Sequence, residues 1–442
     1  MPLAFGKPFI CHGRVQQTRY KEAQLKTIPE KGVAKDVVMQ ELKQMKSLDF
    51  DWRAGRVPSY TYFLDDEALD VQREAYGVYI AENGLGAGRA FKSLEVMTND
   101  IKSMAKSLFN APQGAGASFT SGGTESVFMA VKTARDLARH TRGEPQGRYN
   151  IVACVTAHPC LNKAGELLGI DVIRTPHSKE FRADPSLMRA AIDDRTIMLF
   201  ASAPNYPFGT FDPIGEIGKL AQQSGLRLHV DGCWGGFLSP FAERLGYPIP
   251  PWDFRVPGVS SLSADLHKFG YAAKGASLVL YRSAEDQDHE AFSFSGWPRG
   301  TYSTPTFLGT RAGGAIASAW AVMHYLGMEG YLRAAKLTME ATAQLIAGLN
   351  SIPDIECLSP NGESNLISFV SLDRGLDIYA VADRLEERGW LRGRMRDPKA
   401  IQQGVNPAHL ASVPQYLSAV EEAIHYVRRN VSAPVAYDEH SY

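Results

Sequence analysis

Short apolar runs alternate with helix-period segments from about residue 90 to 285, and this restricts the fold more than any other feature of the chain. Ile101, Met104, Ala105 and Leu108 mark one face of a helix. Residues 151–155 read as a buried strand, followed by a helix through Leu161, Leu167 and Leu168. The pattern repeats with a strand at 197–201, a helix at 214–221, a strand at 226–230 and a strand at 277–281. Strands this apolar need cover on both faces, which a mostly parallel sheet flanked by helices provides. The expected fold class is therefore α/β. In such sheets ligands collect at the carboxyl ends of the strands, and Asp231 stands at one of them.

The flanks have a different texture. Residues 1–60 read as an irregular arm with one helix, marked by Val37, Val38, Leu42 and Met45. Such an arm cannot bury itself and should pack on the main body or on a second subunit. Residues 61–330 would form the large domain. Residues 331–442 read as a small α+β domain: a long helix at 331–349, strands at 355–358 and 366–370, and helices near 378–388 and 414–429.

Composition excludes several classes. A formal net charge of −1 gives no pull toward nucleic acid or anionic membranes. Lys7, Arg14, Arg19 and Lys21 are spread among polar residues and read as a solvated arm. Cys11, Cys154, Cys160, Cys233 and Cys357 are odd in number and lack zinc-like spacing. That pattern suits a reducing compartment and no metal site. The first residues lack a charged segment followed by an apolar run, and no stretch of about 20 apolar residues exists to span a bilayer. The expectation is a cytoplasmic enzyme.

Three segments carry chemistry. Thr120-Ser-Gly-Gly-Thr-Glu-Ser126 precedes a helix over about 127–140. Glycines let the backbone approach an anion, and the helix start supplies free amides and positive potential. An ordinary capped helix can carry the same Ser/Thr-x-x-Glu pattern. His229-Val-Asp-Gly-Cys-Trp-Gly-Gly236 places Asp231 at the end of a buried strand, where a carboxylate needs a partner. A protonated pyridinium nitrogen is such a partner, and a loop or capping role is the alternative. Ser261-Leu-Ser-Ala-Asp-Leu-His-Lys-Phe-Gly270 presents Lys268 beside His267. An anchoring lysine needs a pKa low enough for nucleophilic attack, which desolvation and nearby cations favour. A phosphate loop, a strand-end aspartate and then a lysine on one α/β frame fit pyridoxal 5′-phosphate (PLP), with Lys268 holding the cofactor as a Schiff base.

These segments, with Lys-Phe-Gly-Tyr-Ala-Ala-Lys-Gly after His267, resemble the signatures of sphingosine-1-phosphate lyases, which are fold-type-I, group II decarboxylase-like PLP enzymes. The resemblance spans roughly 60 to 330, with weaker echoes toward the C-terminus. It implies that Gly123, Thr124 and His267 hold the cofactor phosphate and that His158 stacks on the pyridine ring. Asp231 would pair the ring nitrogen. Asn205 lies in Ala203-Pro-Asn-Tyr-Pro-Phe-Gly209, which matches a family loop near the cofactor. Gly309 and Thr310 would reach the phosphate from the other subunit of a homodimer with shared active sites. Tyr62 and Lys274 match the family's substrate-phosphate residues. The family's Asn-Pro-Leu-His segment reads Asn83-Gly-Leu-Gly86 here, so Asn83 is kept as a substrate residue and the histidine is Gly86. That glycine either makes room for a different head group or meets a backbone need.

The implied reaction is retro-aldol carbon–carbon cleavage of a 3-hydroxy-2-amino substrate, with or without a phosphate. Lys268, Asp231, His158 and Tyr62 would be its catalytic residues. The same frame would serve an amino-acid decarboxylase, so the substrate class is a small amine or an amino acid.

Overall fold

A computed structural model describes residues 27–358 and 362–430. Lys7, Arg14, Arg19, Lys21 and Cys11 lie outside the described residues. The chain divides into two compact units, Met1–Asp49 and Phe50–Tyr442. In the first, the expected helix runs Lys35–Met45, and Val37, Val38, Leu42 and Met45 are all exposed.

The second unit is built on a seven-stranded sheet. Its strands are β1 (Gly116–Thr120), β2 (Asn150–Cys154), β3 (Asp171–Thr175), β4 (Thr196–Ser202), β5 (Arg227–Asp231), β6 (Ser261–Ala264) and β7 (Ser277–Tyr281). They lie in the order β1-β7-β6-β5-β4-β2-β3. β7 runs antiparallel to both β1 and β6, and the other pairings are parallel. Every residue of β2, β4, β6 and β7 is buried, as the apolar runs require of a sheet covered on both sides. β1, β3 and β6 are the strands that the apolar pattern did not mark; β6, Ser-Leu-Ser-Ala, is short and half polar although it lies inside the sheet. β1 and β3 are edge strands, and Gly-Ala-Ser-Phe-Thr and Asp-Val-Ile-Arg-Thr likewise carry too few apolar residues to announce themselves.

The chain continues through an exposed hairpin of β8 (Phe292–Trp297) and β9 (Gly300–Thr304) into a helix at Gly313–Ser351. Gly327 kinks this helix with a φ of 53°, and residue 330 falls inside it. Its first part, Ile316 through Met339, packs into the core around the large sheet. Ala341, Leu345 and Leu349 belong to a second core. That second core lies against a four-stranded antiparallel sheet, β10 (Ile355–Cys357), β11 (Leu366–Ser371), β12 (Gly393–Met395) and β13 (Ala400–Gly404), in the order β10-β11-β13-β12. Helices Ile378–Glu387 and Val413–Arg429 complete it. No described helix is long and apolar enough to cross a membrane.

Candidate active site

A cavity of about 380 Å3 opens at the carboxyl ends of β4, β5 and β6. Gly123, Thr124, His158, Asp231, His267 and Lys268 all line it. The structure thus brings together six of the site residues that the sequence points to, from four separate stretches of chain.

The phosphate end is the start of the Gly123–Arg142 helix. Gly122 is its N-cap and no side chain caps it, so the first amides face the cavity rather than a capping oxygen. A Cβ on Gly123 would lie 2.6 Å from Cys233 Sγ and 3.0 Å from both Asp265 carboxylate oxygens. Only glycine fits there. Glu125 braces the loop by accepting from Ser121 N at 2.6 Å and Leu308 N at 3.1 Å.

Asp231 is buried at the end of β5. Its Oδ1 accepts from Cys233 N at 3.0 Å and from Ser263 Oγ at 3.3 Å, which fixes the carboxylate in the cavity wall. His158 follows β2 and accepts from Cys160 N through Nδ1 at 3.1 Å, so the neutral ring carries its proton on Nε2. Burial lowers the His158 pKa, against the opposing field of Asp231.

Lys268 corrects the expectation of a lowered amine pKa. Burial alone would pull it down, but the Asp265 carboxylate, 2.9 Å from Nζ, outweighs burial and holds the amine well above its ordinary range. Asp265 is fully buried. It also accepts from Ser277 Oγ at 2.5 Å and faces His267 Nε2 at 3.5 Å. Its own pKa is depressed: burial would raise it, but Lys268 and the hydrogen bonds of His267 and Ser277 overcome that. The sequence assigns Asp265 no role: it meets Lys268 across a turn rather than on a helix face, so the three-residue spacing carries no signal.

A mouth of about 250 Å3 adjoins the cavity and shares Lys268, His267 and His158 with it. Tyr62 and Lys274 line this mouth, with Lys274 Nζ 4.5 Å over the Tyr62 ring. Tyr62 packs edge-on against Phe269 at 5.1 Å and Trp234 at 5.7 Å. Lys274 donates to the His267 carbonyl at 3.0 Å. Although the residue is open to solvent along part of its length, desolvation of the amine and the nearby Lys268 charge push its pKa down to about 8.

Four expected residues stand apart. Asn205 does not line the cavity. Its amide donates to the Phe181 carbonyl at 2.9 Å and Thr210 Oγ1 at 2.6 Å, and its Oδ1 accepts from Phe208 N. The side chain is spent on shaping its own loop, while its neighbours Pro204 and Tyr206 face the cavity. Asn83, Gly309 and Thr310 form a bracket elsewhere: Asn83 Nδ2 donates to Thr310 Oγ1 at 3.2 Å and Asn83 Oδ1 accepts from Arg311 N. Gly86 has an ordinary φ, and a Cβ there would meet the Phe91 ring at 3.0 Å.

The residues fit PLP: an uncapped helix start for the phosphate, Asp231 for a protonated ring nitrogen and Lys268 for the aldehyde carbon. No cluster of metal-ligating side chains exists among the described residues. The pyridoxal-dependent decarboxylase conserved domain matches residues 83–371. The chain belongs to this family. Within it, the sphingosine-1-phosphate lyase of Dictyostelium discoideum is 35% identical over 406 residues, covering 91% of this chain and 75% of that protein. The solved structure of a Burkholderia pseudomallei sphingosine-1-phosphate lyase is 34% identical, with a TM-score of 0.87 over 94% of this chain and 96% of the other. A probable L-tyrosine/L-aspartate decarboxylase of Methanothrix thermoacetophila is 30% identical over 408 residues, 91% of this chain and 99% of that protein. This member of the pyridoxal-dependent decarboxylase family is a PLP-dependent lyase of fold type I, similar to the sphingosine-1-phosphate lyases.

Proposed function

We propose that the chain is a carbon–carbon lyase that cleaves a 3-hydroxy-2-amino substrate by a retro-aldol reaction, releasing an amine and an aldehyde. The observation that carries this reading is the mouth beside Lys268, where Lys274 and Tyr62 stand together over the way in. An anion held there, on the substrate itself, orients the C2–C3 bond at a distance, and orientation selects which bond at C2 breaks. A phosphate, the anion that the family resemblance implies, would pair there with the Lys274 ammonium.

When bound, the cofactor supplies an electron sink for the pair released as C2–C3 breaks. The protein supplies the rest. Asp231, fixed by Cys233 N and Ser263, holds negative charge where a ring-nitrogen proton must be kept. Lys268 Nζ, when not bound to the cofactor, would take the proton lost from the 3-hydroxyl, be held as an ammonium by Asp265 and return that proton to C2. His158, with its Nδ1 already accepting, serves as a wall of the cavity rather than as the base. Tyr62, Trp234 and Phe269 form an aromatic surround that limits water at the mouth.

The enzyme would work as a cytoplasmic homodimer. Gly309 and Thr310 are absent from the lining of their own chain's Lys268 cavity, and Asn83 holds Thr310 elsewhere, which supports a role in the partner's site. Sedimentation with assay tests this: fully active monomers would refute it. Similarity to a probable amino-acid decarboxylase over nearly that protein's whole length favours α-decarboxylation as the second reading. Incubating the holoenzyme with sphingosine 1-phosphate and with amino acids separates the two. Trapped aldehyde supports the lyase, and carbon dioxide without aldehyde overturns it.

A further inference from the structure

A groove of about 640 Å3 runs beside the active site, and His158 and Tyr206 line both it and the Lys268 cavity. One wall carries Arg392, Arg394 and Arg396, which alternate along β12 and its flanks and therefore share one face. Tyr60, Pro159 and Pro207 line it as well, with Asp397 as a negative group at the end of the arginine wall.

Arg392 is the unusual member. It is 3% exposed, and burial lowers its pKa. A guanidinium taken out of water normally faces a carboxylate. Among the described residues Arg392 has no ion pair. The nearby carboxylates Asp383 and Glu386 are bound by Arg394. Arg392 Nη1 donates to the Leu391 carbonyl at 2.6 Å, and the guanidinium also interacts with the polar end of Tyr416, but Nε has no partner and none of these groups carries a negative charge. Its guanidinium lies 4.0 Å from the Tyr416 ring and 5.2 Å from the Trp390 ring. Arg56 sits 4.4 Å over the same Trp390 ring, so a second cation stands close by. Ring contacts offset only part of the cost of burying a cation. An anion entering from the groove would supply the missing partner.

We propose that this groove is an oxyanion site contiguous with the active site, holding a carboxylate or phosphate against Arg392. Both groups offer a guanidinium the same pair of charged acceptors. The anion is either carried on the arm of a substrate that extends past His158 and Tyr206, or is a free small ion. The first source rests on the lyase reading and narrows it to amines whose distal arm ends in an oxyanion. The second does not depend on that reading.

The test uses the cofactor-loaded protein with inorganic phosphate as the probe, followed by calorimetry. Phosphate binding should weaken by at least about tenfold in Arg392→Met and survive in Arg392→Lys, as expected for loss of a charge-assisted contact. It should also survive in Lys274→Ala, which separates this site from the mouth. Aldehyde release is then compared for sphingosine 1-phosphate and an analogue with a terminal carboxylate on its chain. A lower KM for the analogue that disappears in Arg392→Met identifies the substrate arm as the source. Phosphate binding without that preference identifies a free ion. Absence of aldehyde from both compounds would count against the lyase reading while leaving the phosphate result intact. Unchanged phosphate binding in a folded Arg392→Met protein, with only a lower melting temperature, would overturn the proposal and leave Arg392 as packing between Tyr416 and Trp390.

Discussion

Lys268 Nζ lies 2.9 Å from a carboxylate oxygen of Asp265, three residues earlier in the chain. The pair sits at the end of β6, and Asp265 is in turn held by Ser277 on β7. A lysine held in this way stays an ammonium until the carboxylate lets it go. Asp265 therefore governs how readily the amine attacks a carbonyl and how well it returns a proton.

Asp265→Asn should lower the Lys268 pKa, because the largest opposing effect that remains is burial. The cofactor-free variant should then capture PLP faster near neutral pH than the parent protein. It should also lose about 3 kcal/mol of stability, as expected when one partner of a buried pair is removed. Stopped-flow absorbance reads the capture and chemical denaturation reads the stability. Slower capture with unchanged stability would remove Asp265 from this role.

Gly123→Ala should damage cofactor binding before anything else. The new methyl would meet Cys233 Sγ at 2.6 Å, so the start of the helix must move. Overpacking of this kind costs about 1–3 kcal/mol, or roughly ten- to hundredfold in affinity if the phosphate cradle absorbs it. Equilibrium titration with PLP measures the effect, and parent-like affinity would show that the cradle lies elsewhere.

Lys274 sets a pH dependence. Its pKa is pushed down to about 8, so the amine is charged below that pH and neutral above it. Affinity for an anionic substrate should be complete at pH 7 and fall as the pH rises through about 8. In Lys274→Arg the fall should move to much higher pH, because a guanidinium stays charged. Lys274→Ala should raise KM by roughly 10- to 100-fold, the loss of one charged hydrogen bond. The profile of KM against pH decides the matter: a flat profile in the parent protein would mean that the substrate anion is held elsewhere.

Gly86→His should not build a phosphate site. The Cβ would press on the Phe91 ring at 3.0 Å, so a side chain enters only if that ring shifts, and no special backbone angle asks for glycine. A loss of about 1–3 kcal/mol of stability is expected, with no gain on phosphorylated substrates. A rise in kcat/KM for a phosphorylated substrate would show that Phe91 yields and the imidazole reaches the anion.

Most of the sheet interior and the cofactor frame are legible in the chain alone. β2, β4, β5 and β7 are short apolar runs because strands covered on both faces have no polar side to show. The glycine loop, Asp231 and Lys268 are legible because each carries a chemical demand that few residue types meet. β1, β3 and β6 were not legible: β3 is a partly exposed edge, while β1 and β6 are buried but built largely of Gly, Ser, Thr and Ala, which leave no apolar run. Asn205 shows the opposite limit: a polar residue beside the site looks functional in sequence, and only the fold shows its amide bonded to Phe181 and Thr210. Tertiary structure alone set Asp265 against Lys268 and left Arg392 buried without an ion pair. Those relationships depend on which groups share a low-dielectric space. Charge–charge effects and desolvation act through distance in three dimensions, which spacing along the chain does not record.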